Sequence, residues 1–439
     1  MPLHRPTVSH PFHPLRIGLV PRIRNPKSAI RNHRCRGSVY LYVLASSLLV
    51  TILGLGSLAA VRIQMRSTRL VRDSAEARAC AVSALELGLL QIKQNPNWRT
   101  AFPNGTWLDN KELGTGRFTL QGTDPEDGSL SDSAYEPVVL TGIGTKGIAR
   151  HKVQVTLVPL VKPLAALSMC LHASGQIDIP ASRKITVVGA PLSTNGDLKN
   201  DGTIDGNAEA QSVSATGTIT GTLTVPGTVK PMPEASVFTD YISKATSVPY
   251  AAKIENVVLA PGCNPLGPTD PNGLYVINTE GQDFTLKNSR VYGTLIIRAA
   301  GKKVTIDDAV FLQNYRSDFP VLLVEGDLVV KFDSVTQSLS ESARDTNFNP
   351  IGAPYNGVTD SDKTDVYPNE VRGLIHVKGS VEFGSLPRIV GGVICEGTFK
   401  IDSTNTIVYD ASLYTNPPKG YTYADGMKVS PGSWKQIVD

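Results

Sequence analysis

Carboxylates and imidazoles are the side chains here that could do chemistry, and their spacing decides which chemistry. Asp307 and Asp308 are adjacent. Two carboxyls can share acid and base work only if both face one substrate, and neighbours in a strand point to opposite faces. A turn is the simpler setting for this pair. Three histidines lie beyond the basic N-terminal stretch: His151, His172 and His376. His172 sits two residues from Cys170, but no second ligand pair completes a metal site of the usual four-ligand kind. His376 falls within a strand pattern and reads as structural. Asp124, Asp127 and Asp132 form one acidic group, and Asp360, Asp362 and Asp365 another. Either could offer oxygens to a hard cation, but neither has EF-hand spacing, and a solvated loop is the simpler reading of both. The cysteines (Cys35, Cys80, Cys170, Cys263, Cys395) are far apart, odd in number and without a CxxC pair, so no zinc or redox motif appears. Cys170 and Cys395 read as small core residues. Nucleophile-elbow, P-loop and GxGxxG motifs are absent. These observations point away from catalysis, and no enzyme activity, cofactor or metal is expected.

The elements that would carry these residues are set by charge and hydropathy. Residues 1–72 hold 12 of the 43 basic residues and none of the 39 acidic ones. The remainder is therefore net acidic, so the basic excess is a local feature and argues for membrane orientation, not for binding nucleic acid. Gly37 to Val61 carries no charge. As a helix this stretch would span roughly 37 Å at 1.5 Å per residue, enough to cross a hydrocarbon core of about 30 Å. Eight basic residues precede it and four follow before residue 73. That predicts a single-pass membrane protein with a cytoplasmic N-terminus and the larger C-terminal part outside. The helix continues past the membrane: Arg62 to Gln94 lacks proline, is rich in alanine, and places Leu85, Leu89 and Ile92 on one stripe before Asn95-Pro96 ends it.

The leader ending Arg34-Cys35-Arg36-Gly37, with Ser38 opening the apolar helix, resembles the pilin-like class: type IV pilus-assembly minor pilins and type II secretion pseudopilins. The alanine-rich run from Ala75 to Leu89 resembles the second half of the minor-pilin helix. The resemblance implies cleavage by a prepilin peptidase between Gly37 and Ser38, and other pilin-like subunits as partners. The fifth residue after that cut is Tyr42, where most major pilins carry glutamate, which points to a minor or solitary member.

Residues 96–162 read as a small α+β pilin-like domain. Gly116–Gln121 and Lys152–Val158 alternate like half-buried strands, with a turn at Asp124–Gly128. From residue 163 to 412 a pattern of glycine, polar residue and alternating apolar residues recurs, at Gly175, Gly221, Gly293, Gly326, Gly379 and Gly397. Copies beginning at Leu322, Ile375 and Val393 align over a longer window, the last two offset by 18 residues. We therefore expect a mainly β protein: a long N-terminal transmembrane α-helix, the small domain, then a right-handed parallel β-helix. Leu328, Val330, Val381, Phe383, Phe399 and Ile401 would point inward. A β-sandwich is the competing arrangement. Residues 333–370 interrupt the repeats as a polar insertion and are the best candidate contact surface. The tail, 413–439, would cap the last turn, with Trp434 as its anchor.

The combination resembles pilus-assembly-like proteins with a pilin-type helix and a β-helical ectodomain. It implies a non-catalytic, membrane-anchored structural or assembly protein whose partners are the lipid bilayer and pilin-like subunits. A surface adhesin that binds a polysaccharide or cell-surface ligand is the second reading. Polygalacturonases, which share the β-helix, combine Asn-Thr-Asp, Asp-Asp, Gly-His-Gly and Arg-Ile-Lys. Asn278-Thr279-Glu280 and Asp307-Asp308 are similar to the first two, but Gly-His-Gly is missing, so a polysaccharide hydrolase or lyase ranks last.

Overall fold

The computed structural model describes residues 38–332 and 338–438. The protein is mainly β, with one long apolar helix ahead of its sheets. Helix α1 spans Ser38–Gln94. The chain divides into two units between Asp73 and Ser74, so the two parts of α1 are described separately. In the first, the apolar side chains from Val39 to Leu58 are all exposed. Ser46, Ser47, Thr51 and Ser57 turn their hydroxyls back onto carbonyls three or four residues earlier. Such back-bonding satisfies the polar groups inside the helix itself, as a lipid environment requires. The segment is long and apolar enough to cross a membrane, which is consistent with a single-pass anchor.

In the second part of α1, Ala77, Cys80, Ala81, Ala84, Leu85 and Ile92 are buried against a small sheet. That sheet is an antiparallel meander of β1 (Gly105–Leu113), β2 (Gly116–Thr123), β3 (Val138–Lys146) and β4 (Ala149–Pro163). Small residues meet on both sides of the contact. A Cβ at Gly142 or Gly144 on β3 would collide with the backbone carbonyls of Ala81 and Ala77, so the helix lies directly on the strand. A short helix, α2 (Trp98–Ala101), closes one end, and Phe102 stacks on Trp107 with ring centroids 4.6 Å apart.

The C-terminal tail departs from expectation. It does not cap the last repeat. Thr422–Val429 and Lys435–Ile437 both pair antiparallel with β4. The reason is the open far edge of β4, a 15-residue strand whose Val153, Val155 and Leu157 are core residues; bare edges of this kind are normally covered. Trp434 remains 44% exposed and lies beside the short strand that pairs with β4, not at the end of the repeats.

Among the described residues, 22 further strands form one sheet in which the pairings are parallel, which rules out the antiparallel sandwich. Each turn of chain contributes short strands to three ladders. In the first, Tyr275, Leu295, Leu322, Ile375 and Val393 are successive partners. In the second, Phe284, Val304, Leu328, Val381 and Phe399 follow one another. In the third, Val291, Leu312, Val371, Ile389 and Ile407 do so. These columns meet in one core, and the six inward positions expected from the pattern are all buried there. The 18-residue offset appears directly as register, with Val371 beside Ile389 and Val381 beside Phe399.

The stacking order does not follow the chain. Leu171, Ile177 and Ile185 of the first turn pair with Val393, Phe399 and Asn405 of the last. The ends of the stack are therefore the turns near residues 212–224 and 246–259, and the C-terminal turn lies in the interior. The insertion also departs from a solvated excursion. Its described part has a two-stranded pair, Leu339–Ser340 with Val366–Tyr367, and a core of Leu339, Phe348, Ala353 and Tyr367 packed against Val258, Ala309 and Phe311. Residues 333–337 lie outside the described residues.

Candidate functional site

Alternation along a strand gives each ladder an inner and an outer column. On the first ladder the outer column is Val276, Ile296, Leu323, His376, Ile394 and His172. It is buried as well, because helix α3 (Ser236–Ile242), Leu164, Leu167, Leu413 and Tyr421 cover it. That cover explains both imidazoles. His376 bridges the Tyr421 hydroxyl (2.9 Å from Nδ1) and Glu396 (3.0 Å from Nε2), and packs on Phe238. Burial holds its basicity down against the opposing pull of Glu396. The Nδ1 of His172 meets Ser193 Oγ at 2.8 Å, and burial near Lys230 lowers its pKa to about 4. Cys170 and Cys395 lie in the core; burial pushes their thiols up to about 11 and about 12. His151 is half-buried beside Arg78 in the other sheet. Neither pair of ligands nor a nucleophile–base contact forms among these residues.

Asp307 ends its strand, and Asp308 turns with φ +63°. Lys287 reaches both, at 3.3 and 3.4 Å, and Arg344 reaches Asp308 at 3.2 Å. Both carboxyls are thus paired with cations. The second ladder's outer column alternates in sign, with Glu382, Lys400, Asp178 and Lys199 as successive neighbours. Like charges directly opposite one another are avoided, and this side presents a solvated, polar face. Of the expected cut site, Gly37 lies outside the described residues and Ser38 is the first residue of α1.

The third ladder holds what the sequence did not flag. Its outer column runs Val258, Arg290, Phe311 and Glu370. Arg290 is 1% exposed and carries the insertion on its guanidinium. Nη1 donates to the carbonyls of Phe348 and Ala353, both at 2.7 Å, and Nη2 to that of Pro354 at 2.6 Å. The rings of Tyr292, Tyr355 and Tyr367 each lie 5.5 Å from it. Behind it sits Glu341, fully buried, accepting from the amides of Phe348 and Asp365 and from the Tyr367 hydroxyl. Burial first, and then the Glu341 carboxylate, push the Tyr367 phenol up, so its hydroxyl remains a donor. Asp360 and Asp365 turn inward to the same place, while Asp362 only closes its own loop onto Thr364. Between β2 and β3, Asp124 and Asp127 meet Glu136, which the sequence reading passed over, and burial with Asp132 and Asp124 pushes the Glu136 carboxyl up.

No protein-family model and no curated protein sequence matches this chain. Among solved structures, the competence-associated pilin ComZ from Thermus thermophilus is similar at 12% identity and a TM-score of 0.27, over 84% of this chain and 98% of that one. The DUF3494 domain of an ice-binding protein from Shewanella frigidimarina is similar at 14% identity and 0.27, over 57% and 98%. An ice-binding protein from an Antarctic biological consortium follows at 13% and 0.26, over 56% and 91%. Likeness at this level carries no function across.

Proposed function

We propose that the protein is a non-catalytic, single-pass membrane protein of the pilin-like class that displays a right-handed parallel β-helix outside the cytoplasm. The observation that carries the reading is helix α1. The helix is uncharged and exposed from Val39 to Val61, and from Ala77 to Leu85 it is seated by small residues on a six-stranded antiparallel sheet. A pilin-like subunit needs that division of labour: retention by lipid, and a rigid mount for what is displayed. Parallel pairing and the 18-residue register support the β-helix assignment. The partners under this reading are the bilayer, other pilin-like subunits and a prepilin peptidase acting between Gly37 and Ser38. Co-expression with such a peptidase should yield a mature chain beginning at Ser38. An uncut chain would remove the pilin-like reading, and recovery of the whole chain in the aqueous fraction would remove the anchor as well.

A second reading, a surface adhesin for a polysaccharide or another cell-surface ligand, draws on the insertion. Ile351, Val358 and Val366 are 88, 59 and 57% exposed there, although the loop around them is ordered by buried contacts. Ordered loops that present apolar side chains suit contact with a partner. Binding of purified cell-wall glycans that is lost on Ile351→Asp would favour it.

A further inference from the structure

We propose that the insertion holds a divalent cation of the calcium class, ligated by Glu341, Asp360, Asp365 and the side-chain oxygen of Asn349. Glu341, Asp360 and Asp365 each turn one carboxylate oxygen to a common point, and these atoms lie within 4.8 Å of one another. Oxygens bound to a single calcium ion at about 2.4 Å can be no further apart than about twice that distance.

Asn349 supplies an independent observation. It is 1% exposed, and its Oδ1 is buried without a partner. Its Nδ2 donates to Asp360 Oδ2 at 3.0 Å and to Asp365 Oδ2 at 2.9 Å, so the amide sits at the cluster with its nitrogen inward, and a half-turn about χ2, which exchanges the two amide atoms, brings Oδ1 to the same place. Asp360 Oδ1 is buried without a partner too. Leaving such oxygens dry and unpaired is costly, the more so beside three carboxylates. The ion pairs of the insertion do not relieve them, since Arg344 goes to Asp308 and Lys363 to Asp345. A cation satisfies Asp360 Oδ1 and the local charge, and with the amide turned it satisfies Asn349 Oδ1 as well.

The donor set is oxygen alone, which selects hard cations over zinc or copper. Carboxylates and an amide carbonyl in a loop suit calcium, which accepts six to eight oxygens in flexible geometry. Magnesium, by contrast, keeps most of its water. The ligands come from three separate points of the insertion, so the ion would tie together the loop that Arg290 holds from the other side. The inference is independent of how the protein is anchored or assembled.

The test uses the full chain in detergent micelles, stripped with EDTA and titrated with terbium. Tyr367, hydrogen-bonded to Glu341, would sensitise terbium emission, and calcium should displace it. Asp360→Asn with Asp365→Asn should weaken binding at least tenfold, with an unchanged near-ultraviolet spectrum in EDTA. Asp127→Asn with Asp132→Asn, in the other acidic cluster, should leave the calcium-displaceable signal in place. Asn349→Asp adds a ligand charge and should enlarge the rise in Tm produced by calcium. The proposal is overturned if emission is absent, if it is unchanged in the Asp360/Asp365 variant, if only the Asp127/Asp132 variant loses it, or if calcium does not move the Tm of Asn349→Asp.

Discussion

Val393 lies beside Leu171 in parallel register, so the last turn of the large sheet is stacked on its first. The turn near residues 388–409 has neighbours on both sides, one from the preceding sequence and one from far upstream. A stack built in chain order could lose its final turn and keep the rest, because each repeat touches only its neighbours. Here, a chain ending after Ser385 loses an interior layer. We expect that truncation to release the turns at 171–224 from those at 246–385, seen as rapid proteolysis of the former. Turns at 171–224 as protected as in the full chain would contradict the pairing. Within the same layer, Phe399→Ala should cost about 3–5 kcal/mol by denaturant unfolding, whereas the outward Lys400→Ala should stay within about 0.5 kcal/mol.

The seat of α1 on β3 makes a second prediction. Gly144 leaves no room for a side chain under the Ala77 carbonyl. Gly144→Val should cost about 1–3 kcal/mol, the usual penalty for overpacking, read as a drop in Tm. Lys111, exposed on β1, should accept valine with little change.

His172 makes the fold acid-sensitive in a defined window. Its folded pKa is about 4, against about 6.5 in an open chain. The unfolded chain therefore binds the proton first as the pH falls. The histidine's contribution is intact above about pH 6.5 and is lost toward pH 4 at about 1.4 kcal/mol per unit. His172→Gln removes that titration, so its Tm should fall less steeply between those limits than that of the parent. Parallel curves would show that the imidazole is not the cause.

Arg290 should hold the insertion more than any residue within it. Arg290→Met keeps the volume but strands the carbonyls of Phe348, Ala353 and Pro354. Breaking charged hydrogen bonds in a buried setting costs about 3 kcal/mol or more. Amide exchange across residues 341–367 should accelerate, while exchange in the core columns stays slow.

Much of this architecture is legible in the sequence, for physical reasons. An uncharged run of 25 residues has few stable settings, and an alternation that recurs after glycine marks strands with one buried face. The aligned copies at Leu322, Ile375 and Val393 do lie side by side. What escaped is what local pattern does not encode. Nothing in Leu171 or Val393 names the other as a neighbour, since backbone pairing is indifferent to which strand supplies it. The tail reads as turn-rich because its strands are short and one-sided. Arg290 occupies an outward strand position, where a charge ordinarily reads as solvated. Its burial comes from a loop that returns some sixty residues later. Glu341 and Asn349 are likewise too far from Asp360 in sequence to join it in any spacing motif.

The pairing of Thr422–Val429 with β4 has a bearing on how faulty copies are told from sound ones. The helix-bearing sheet is begun by β1–β4 and finished by strands that follow the whole large sheet in the chain. A product that stops before Thr422 would still carry the apolar helix and four strands, but with the far side of β4 bare. Completion of that sheet is thus a built-in proofreading step: only polypeptides translated past this point present a sealed surface, and shorter ones advertise themselves to proteases and to unwanted strand partners.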